Sequence, residues 1–319
     1  MQPTILAVFF EFSSIAFSMS AAGLALLVIG LLAAKNDIAQ ARGIDKIVAL
    51  TYLCFALPLA VFGAEHLSGG IPLKMVPSYM PWRLFWLYFV GVALIAASLS
   101  IATKIQVRWS GLLVGIMMFL FVAMLYVPGA VTIGGRFAWT IVFREMSFGG
   151  AGWVLAGIAM GGNGDRQGKS LITVGRVLIA MTAIFFGVQH FLHPQGLPGV
   201  PLQKQMPTWI PARALIDYLT GAFLIAAGVC FMLNRKTRMA ATYLGAWIVV
   251  LVVVIYGPVM IGALADPNTA VKVEGLNYFA DTLLFGGVIL SLARAMMPVL
   301  PPPAKSNQIN AGNSSVQSD

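Results

Sequence analysis

Charge is what this sequence has least of. Only 10% of its 319 residues are Asp, Glu, Lys or Arg, against about 25% in soluble globular domains, while 59% are hydrophobic and the mean hydropathy is +0.87. Water cannot be the main solvent of such a chain, which excludes a soluble enzyme. Cysteine is scarcer still: Cys54 and Cys230 lie in separate apolar segments, so neither a Cys-x-x-Cys redox pair nor a secreted disulfide framework is present. Acidic residues number 11 against 20 Lys and Arg, giving a net charge of +9 and a pI near 9.8. In a soluble protein that balance would suggest nucleic acid. Here the bases sit in short links between apolar runs and read as topology determinants, so the expected partner is the lipid bilayer and not nucleic acid. The opening Met-Gln-Pro-Thr lacks a basic leader region, and the apolar run after it is too long for a signal sequence, so it reads as a retained helix.

A run of roughly 20 apolar residues crosses a hydrocarbon core of ~30 Å at ~1.5 Å rise per residue. Nine such spans are predicted, at 10–34, 47–67, 82–102, 109–131, 138–160, 171–191, 214–233, 239–264 and 276–299. All should be helical, because lipid satisfies no backbone group, and the fold class is an all-α polytopic membrane helix bundle. Thirteen bases fall on one face: Lys35, Arg42, Lys46, Lys104, Arg108, Arg166, Lys169, Arg176, Arg235, Lys236, Arg238, Arg294 and Lys305. Six fall on the other, and Arg144 alone lies within a span. The positive-inside rule then puts the amino terminus outside and the carboxyl tail in the cytoplasm. The Pro, Ser and Asn tail at 301–319 reads as disordered.

The chain also repeats itself. Phe62-Gly63-Ala64-Glu65-His66 matches Phe186-Gly187-Val188-Gln189-His190, and Pro77-Ser78-Tyr79-Met80-Pro81 matches Pro207-Thr208-Trp209-Ile210-Pro211. From there a constant offset pairs Arg83 with Arg213, Tyr88 with Tyr218, Gly91 with Gly221, Arg108 with Arg238, Tyr126 with Tyr256 and Pro128 with Pro258. Each unit has an even number of spans, so both enter the membrane in the same sense, as a parallel repeat. The predicted organisation is an N-terminal helix and link (1–46), a first four-helix unit (47–160), a cytoplasmic linker (161–170), a second four-helix unit (171–300) and the tail (301–319). Two four-helix bundles side by side is the simplest packing.

The Phe-Gly-x-x-His end of each unit's first span, the Pro-x-aromatic-x-Pro loop and the Tyr-x-x-Gly span that follow resemble the DoxX-like integral membrane family across both units. That resemblance implies a bacterial inner membrane setting and a role as an accessory or quinone-interacting subunit beside a membrane oxidoreductase. It implies quinone as a candidate cofactor; the sequence itself has no strong haem, flavin, nucleotide or metal motif, so any electron-transfer centre is a bound lipid carrier or belongs to a partner. A small-solute carrier or channel, and a scaffold without chemistry, are the competing readings.

Ionisable groups inside a bilayer cost about 2.5–3.5 kcal/mol each on insertion scales and mark candidate sites. Most of them fall at one depth: Glu65, His66, Tyr88, Tyr126, Arg144 and Glu145 in the first unit, and Gln189, His190, Tyr218, Tyr256 and Asn277 in the second, with Asp217 and Asp281. One reading makes this layer a polar pocket in which His and Tyr donors hydrogen-bond a quinone-like carbonyl while a carboxylate handles the proton. The other makes it a set of interhelical hydrogen bonds at ~0.6 kcal/mol each. Arg144 and Glu145, about 100° apart on a helix, are expected to pair with other helices more than with each other; for Arg144 the readings are an ion pair with Glu274 and Asp281 or a charge lining a water-filled cleft. Arg83 and Arg213 read as headgroup anchors. His190 and His193 have the spacing of metal ligands, but the first unit has no second histidine, and no metal site is expected. Gly162 to Ser170 lacks the strand that a phosphate-binding loop requires, and the Asn313-Ser314-Ser315 acceptor pattern falls in the predicted cytoplasmic tail. The glycines of 149–152 and 157–161 suit close helix packing.

Overall fold

The computed structural model describes residues 14–69 and 76–297. The tail from 301, with Lys305 and Asn313, and the start of the first predicted span lie outside the described residues. Within them the chain is helical, and β pairing is confined to one isolated antiparallel bridge between Gly196 and Gln205. In order the helices are α1 (Ile15–Gln40), α2 (Asp45–Ala49), α3 (Thr51–Leu67), α4 (Arg83–Thr103), α5 (Val107–Ile133), α6 (Arg136–Ala159), α7 (Arg166–Leu192), α8 (Arg213–Met232), α9 (Thr237–Leu264) and α10 (Thr269–Ala295). Seven of these, α1, α4, α5, α7, α8, α9 and α10, are long and apolar enough to cross a membrane. The chain is therefore a helical integral membrane protein. Helices also cover the other two predicted spans, but α3 has only 17 residues and α6 carries Arg144 and Glu145.

Side chains at the ends satisfy amides that an isolated helix leaves bare. Ser14 accepts from the Phe17 amide at 3.1 Å, Asp165 from that of Gly168 at 2.8 Å, and Asn268 from that of Ala270 at 2.9 Å. Mid-helix, α5 and α9 each widen into a π turn, Val122–Tyr126 and Val252–Tyr256, just ahead of Pro128 and Pro258. A proline has no amide to offer the turn before it, and the wider turn absorbs that gap while re-aiming the tyrosine at its end.

Further backbone features recur at the same separation. Among the described residues six non-glycine positions have positive φ, and they form three pairs 130 apart in number: Trp82 with Ala212, Lys104 with Asn234, and Gln106 with Lys236. Arg83 donates to the Val76 carbonyl at 2.8 Å, and Arg213 to the Met206 carbonyl at 3.3 Å. These two guanidinium groups, expected at lipid headgroups, brace the loop that precedes their helix.

The eight helices α3 to α10 do not pack as two bundles side by side. Each neighbours the next in sequence, α10 closes back on α3, and α6 meets α10 across the middle. α3 and α10 are the most enclosed, with every residue from Thr51 to Val61 buried and 83% of the apolar window of α10 inside the protein. α1 lies outside this ring against α3, with Gly23 facing Val61 and Gly30 facing Leu53. Small residues set the approach elsewhere. A Cβ on Gly152 would stand 2.8 Å from the Gly111 carbonyl oxygen, and one on Gly157 2.6 Å from that of Gly168. Thr182 donates across to the Phe143 carbonyl at 2.8 Å.

One end of the ring collects bases. Asp37 accepts from Lys104 at 3.0 Å and Arg294 at 2.9 Å, and Asp45 pairs with Arg238 at 3.0 Å. Arg176, expected at this face, sits inside α7, where its guanidinium caps the last carbonyls of α8 at Phe231 and Met232. Such a cation at a helix carboxyl end opposes the local negative dipole.

Candidate functional site

The other end of the ring gathers acids. On α10, Asn277 and Tyr278 stand three and four residues after Glu274 and four and three before Asp281, so all four share one face. That face meets the end of α3, which brings Glu65, and the middle of α6, which brings Arg144 and Glu145. Arg144 donates through Nη1 to Asp281 Oδ2 and through Nη2 to Glu145 Oε1, both at 2.7 Å. The three side chains are 14%, 10% and 7% exposed. Contrary to the expectation from helix geometry, Arg144 does pair with its sequence neighbour: its long stem spans the 100° between them, and its fork has donors for both carboxylates. Glu274 is not its partner. Glu274 pairs with Lys204 at 3.1 Å, beside Tyr278, whose hydroxyl oxygen accepts from the Lys204 amide at 3.1 Å.

Between these groups lies a cavity of about 300 Å³, lined by Glu65, Arg144, Glu274, Asn277, Tyr278 and Asp281 with Leu202, Phe137, Val273 and Ala270. Asn277 Nδ2 donates to Glu65 Oε1 at 3.2 Å, tying the two halves of the chain together here. Two polar atoms of the lining residues, Arg144 Nε and Asn277 Oδ1, are shielded from solvent and have no hydrogen-bond partner among the described residues. Tyr126, at the end of its π turn, lies within electrostatic range of Arg144, Glu145 and Asp281.

The chain matches no protein-family model, no curated protein and no solved structure. Function must therefore be argued from this site.

The remaining expected residues do not converge on the cavity. His66 turns its Nδ1 to the Phe62 carbonyl of its own helix at 2.8 Å. His190 is buried, and its Nε2 accepts from the Gly199 amide at 2.9 Å, which leaves Nδ1 as the protonated nitrogen, 4.0 Å from Oδ1 of the buried Asp217. Tyr256 donates to the Pro198 carbonyl at 2.8 Å. His190 and Tyr256 thus hold down the loop over α7 and α8, whose residues Leu197 to Leu202 are all buried. Irregular backbone survives beside lipid only when protein satisfies it, and these two side chains do so. Tyr88 and Tyr218 are 46% and 40% exposed on the outer surface, Tyr218 stacked on Phe191. Gln189 is half-buried with its Oε1 shielded and without a partner among the described residues, and it does not line the cavity. The pocket's donors are therefore Arg144, Asn277 and Tyr278 in place of the histidines.

Tyr278 and Lys204 were missed by sequence reasoning. For Tyr278 a signal existed, its place on the face shared with Glu274 and Asp281. For Lys204 there was none, because it reaches the site on a loop. Among the described residues no group of three or more His, Cys, Asp or Glu is placed to hold a metal ion.

Proposed function

We propose that this integral membrane protein consists of two parallel DoxX-like four-helix units plus a leading helix, nine spans in all, with the acidic end outside and the basic end in the cytoplasm. Its role is that of a quinone-interacting accessory subunit in a bacterial inner-membrane redox system. The features recurring 130 residues apart support the doubling, and the thirteen-to-six division of bases supports the orientation. The observation that carries the functional reading is the cavity between α3, α6 and α10, where donors and carboxylates converge inside a membrane-embedded ring.

A quinone headgroup fits these walls chemically. Among the lining residues Arg144, Asn277 and Tyr278 carry donors for a carbonyl oxygen, and the Glu65 and Asp281 carboxylates are acceptors for a hydroxyl. Glu65, held by Asn277 but paired with no cation among the described residues, is the group to exchange a proton with such a ligand. Phe137, Leu202 and Val273 supply the apolar wall. A bound quinone would supply the electron-carrying chemistry, and the chain's own residues would orient it and handle its protons.

Binding of a short-chain quinone analogue to the purified protein tests this. Glu65→Gln and Asn277→Ala should each weaken it about tenfold, the worth of one hydrogen bond to a charged or buried group. Unchanged affinity in both variants would sink the quinone reading. The charged rim, where Lys204 and Glu274 are 27% and 47% exposed, favours a carrier for a small polar solute as the second reading. Solute flux in liposomes without quinone binding would select it.

A further inference from the structure

A second cavity lies at the opposite end from the acidic one. It has a volume of about 560 Å³ and lies where α2, the α8–α9 turn, the start of α9 and the end of α10 meet. Lys236, Arg238, Asn234 and Thr237 line it together with Met239 and Tyr243. Asp45 is the one carboxylate in the lining, and it engages Arg238 at 3.0 Å. Lys236 is exposed, and among the described residues no carboxylate pairs with it. Met239 and Tyr243 stand four residues apart on α9, 51% and 61% exposed, and so form an apolar strip leading away from the bases along the helix.

The α4–α5 turn has the same left-handed backbone and shows what such a place takes when it is filled. There φ is 62° at Lys104 and 57° at Gln106, and at the α8–α9 turn it is 51° at Asn234 and 52° at Lys236. At the first turn an anion is built in: Asp37 of α1 bridges Lys104 and Arg294. No helix corresponding to α1 lies over the second turn among the described residues, and its bases face a cavity instead.

We propose that this cavity binds a phosphate anion, in the form of an anionic phospholipid headgroup. Lys236 and Arg238 hold the phosphate, and an acyl chain runs along Met239 and Tyr243. Lysine serves here as a point charge, while arginine's several donors let Arg238 keep Asp45 and still reach the ligand. The apolar strip selects a lipid over free phosphate. The cavity is separate from the acidic one and does not depend on quinone binding.

The test uses the full chain purified in mild detergent, with phosphatidylglycerol and inorganic phosphate as separate probes and native mass spectrometry as the readout. K236Q should weaken phosphatidylglycerol binding about fivefold and K236Q/R238Q about thirtyfold, at the worth of one and two bases near a lipid surface. K236Q breaks no contact in the protein, so its fold is intact and its result stands even where the double variant fails to assemble. D45N, which releases Arg238, should strengthen binding. Inorganic phosphate bound as tightly as the lipid, and lost in K236Q, would keep the anion site but assign it to free phosphate. Equal lipid retention by wild type and K236Q, or binding of neither probe, would overturn the proposal.

Discussion

Replacing Arg144 with Met lowers the stability of the folded protein by about 3–5 kcal/mol, because it strands the Glu145 and Asp281 carboxylates in a place that water barely reaches. The lost attraction is the smaller part of that figure, and most of it is the penalty of buried charge without a partner. In thermal unfolding in detergent the midpoint should fall by on the order of 10 °C. The size of the effect comes from geometry. One guanidinium meets two carboxylates at 2.7 Å, and Asp281 is 137 positions away, so the cluster also joins α6 to α10 across the middle of the ring. The combined change Arg144→Met, Glu145→Gln and Asp281→Asn should recover most of the loss, since neutral groups of similar volume carry no desolvation penalty. A triple variant as unstable as the single one would show that the cluster acts by packing alone.

Gly175→Leu should be equally damaging for a different reason. At this position α7 lies against α6 so closely that a Cβ would collide with the Gly150 carbonyl oxygen and stand 2.6 Å from Val154 Cγ2. A backbone carbonyl cannot move aside as a flexible side chain does, so the helices must part. Overpacking costs 1–3 kcal/mol or more in a well-filled interior, and between apolar helices in lipid close contact is itself the attraction. Because α6 and α7 also link the two halves of the chain, folded yield should drop severalfold in size-exclusion chromatography. Gly129→Ala is the matched control: nothing lies within 4 Å of a Cβ there, and removing a helical glycine should leave stability unchanged or raised by up to about 1 kcal/mol. Equal yields for both variants would remove close helix approach from the account.

Hydropathy located the helices well where lipid is the neighbour and less well where protein is. The last helix was expected from 276 but begins at Thr269, because Lys272 and Glu274 read as loop. In the fold Lys272 is buried and Glu274 is paired, so the helix continues through them. Likewise α1 runs to Gln40, past the expected 34, since Asp37 is neutralised by Lys104 and Arg294. The span boundaries put Glu65, Arg144, Glu145, Asn277 and Asp281 in one layer, and the structure brings those five together. Of the partners, Asp281 for Arg144 was anticipated and is found, whereas Glu145 for Arg144 and Asn277 for Glu65 were not. A histidine that turns back on its own helix, as His66 does, and one committed to a loop, as His190 is, look the same in sequence as one that faces a cavity. Packing between helices far apart in the chain decided the matter, and it brought Glu65 to Asn277.

The central claim is that both halves of the chain lie in the membrane in the same sense, so that one surface carries the acidic cavity and the other the bases. Cysteine labelling of intact cells with a membrane-impermeant reagent tests it most directly, with Cys54 and Cys230 replaced by Ser. Ser68→Cys and Gln195→Cys should both react from outside, while Ile105→Cys and Arg235→Cys should react only after the membrane is opened. Reaction of Ser68→Cys and Gln195→Cys from opposite sides would contradict the account.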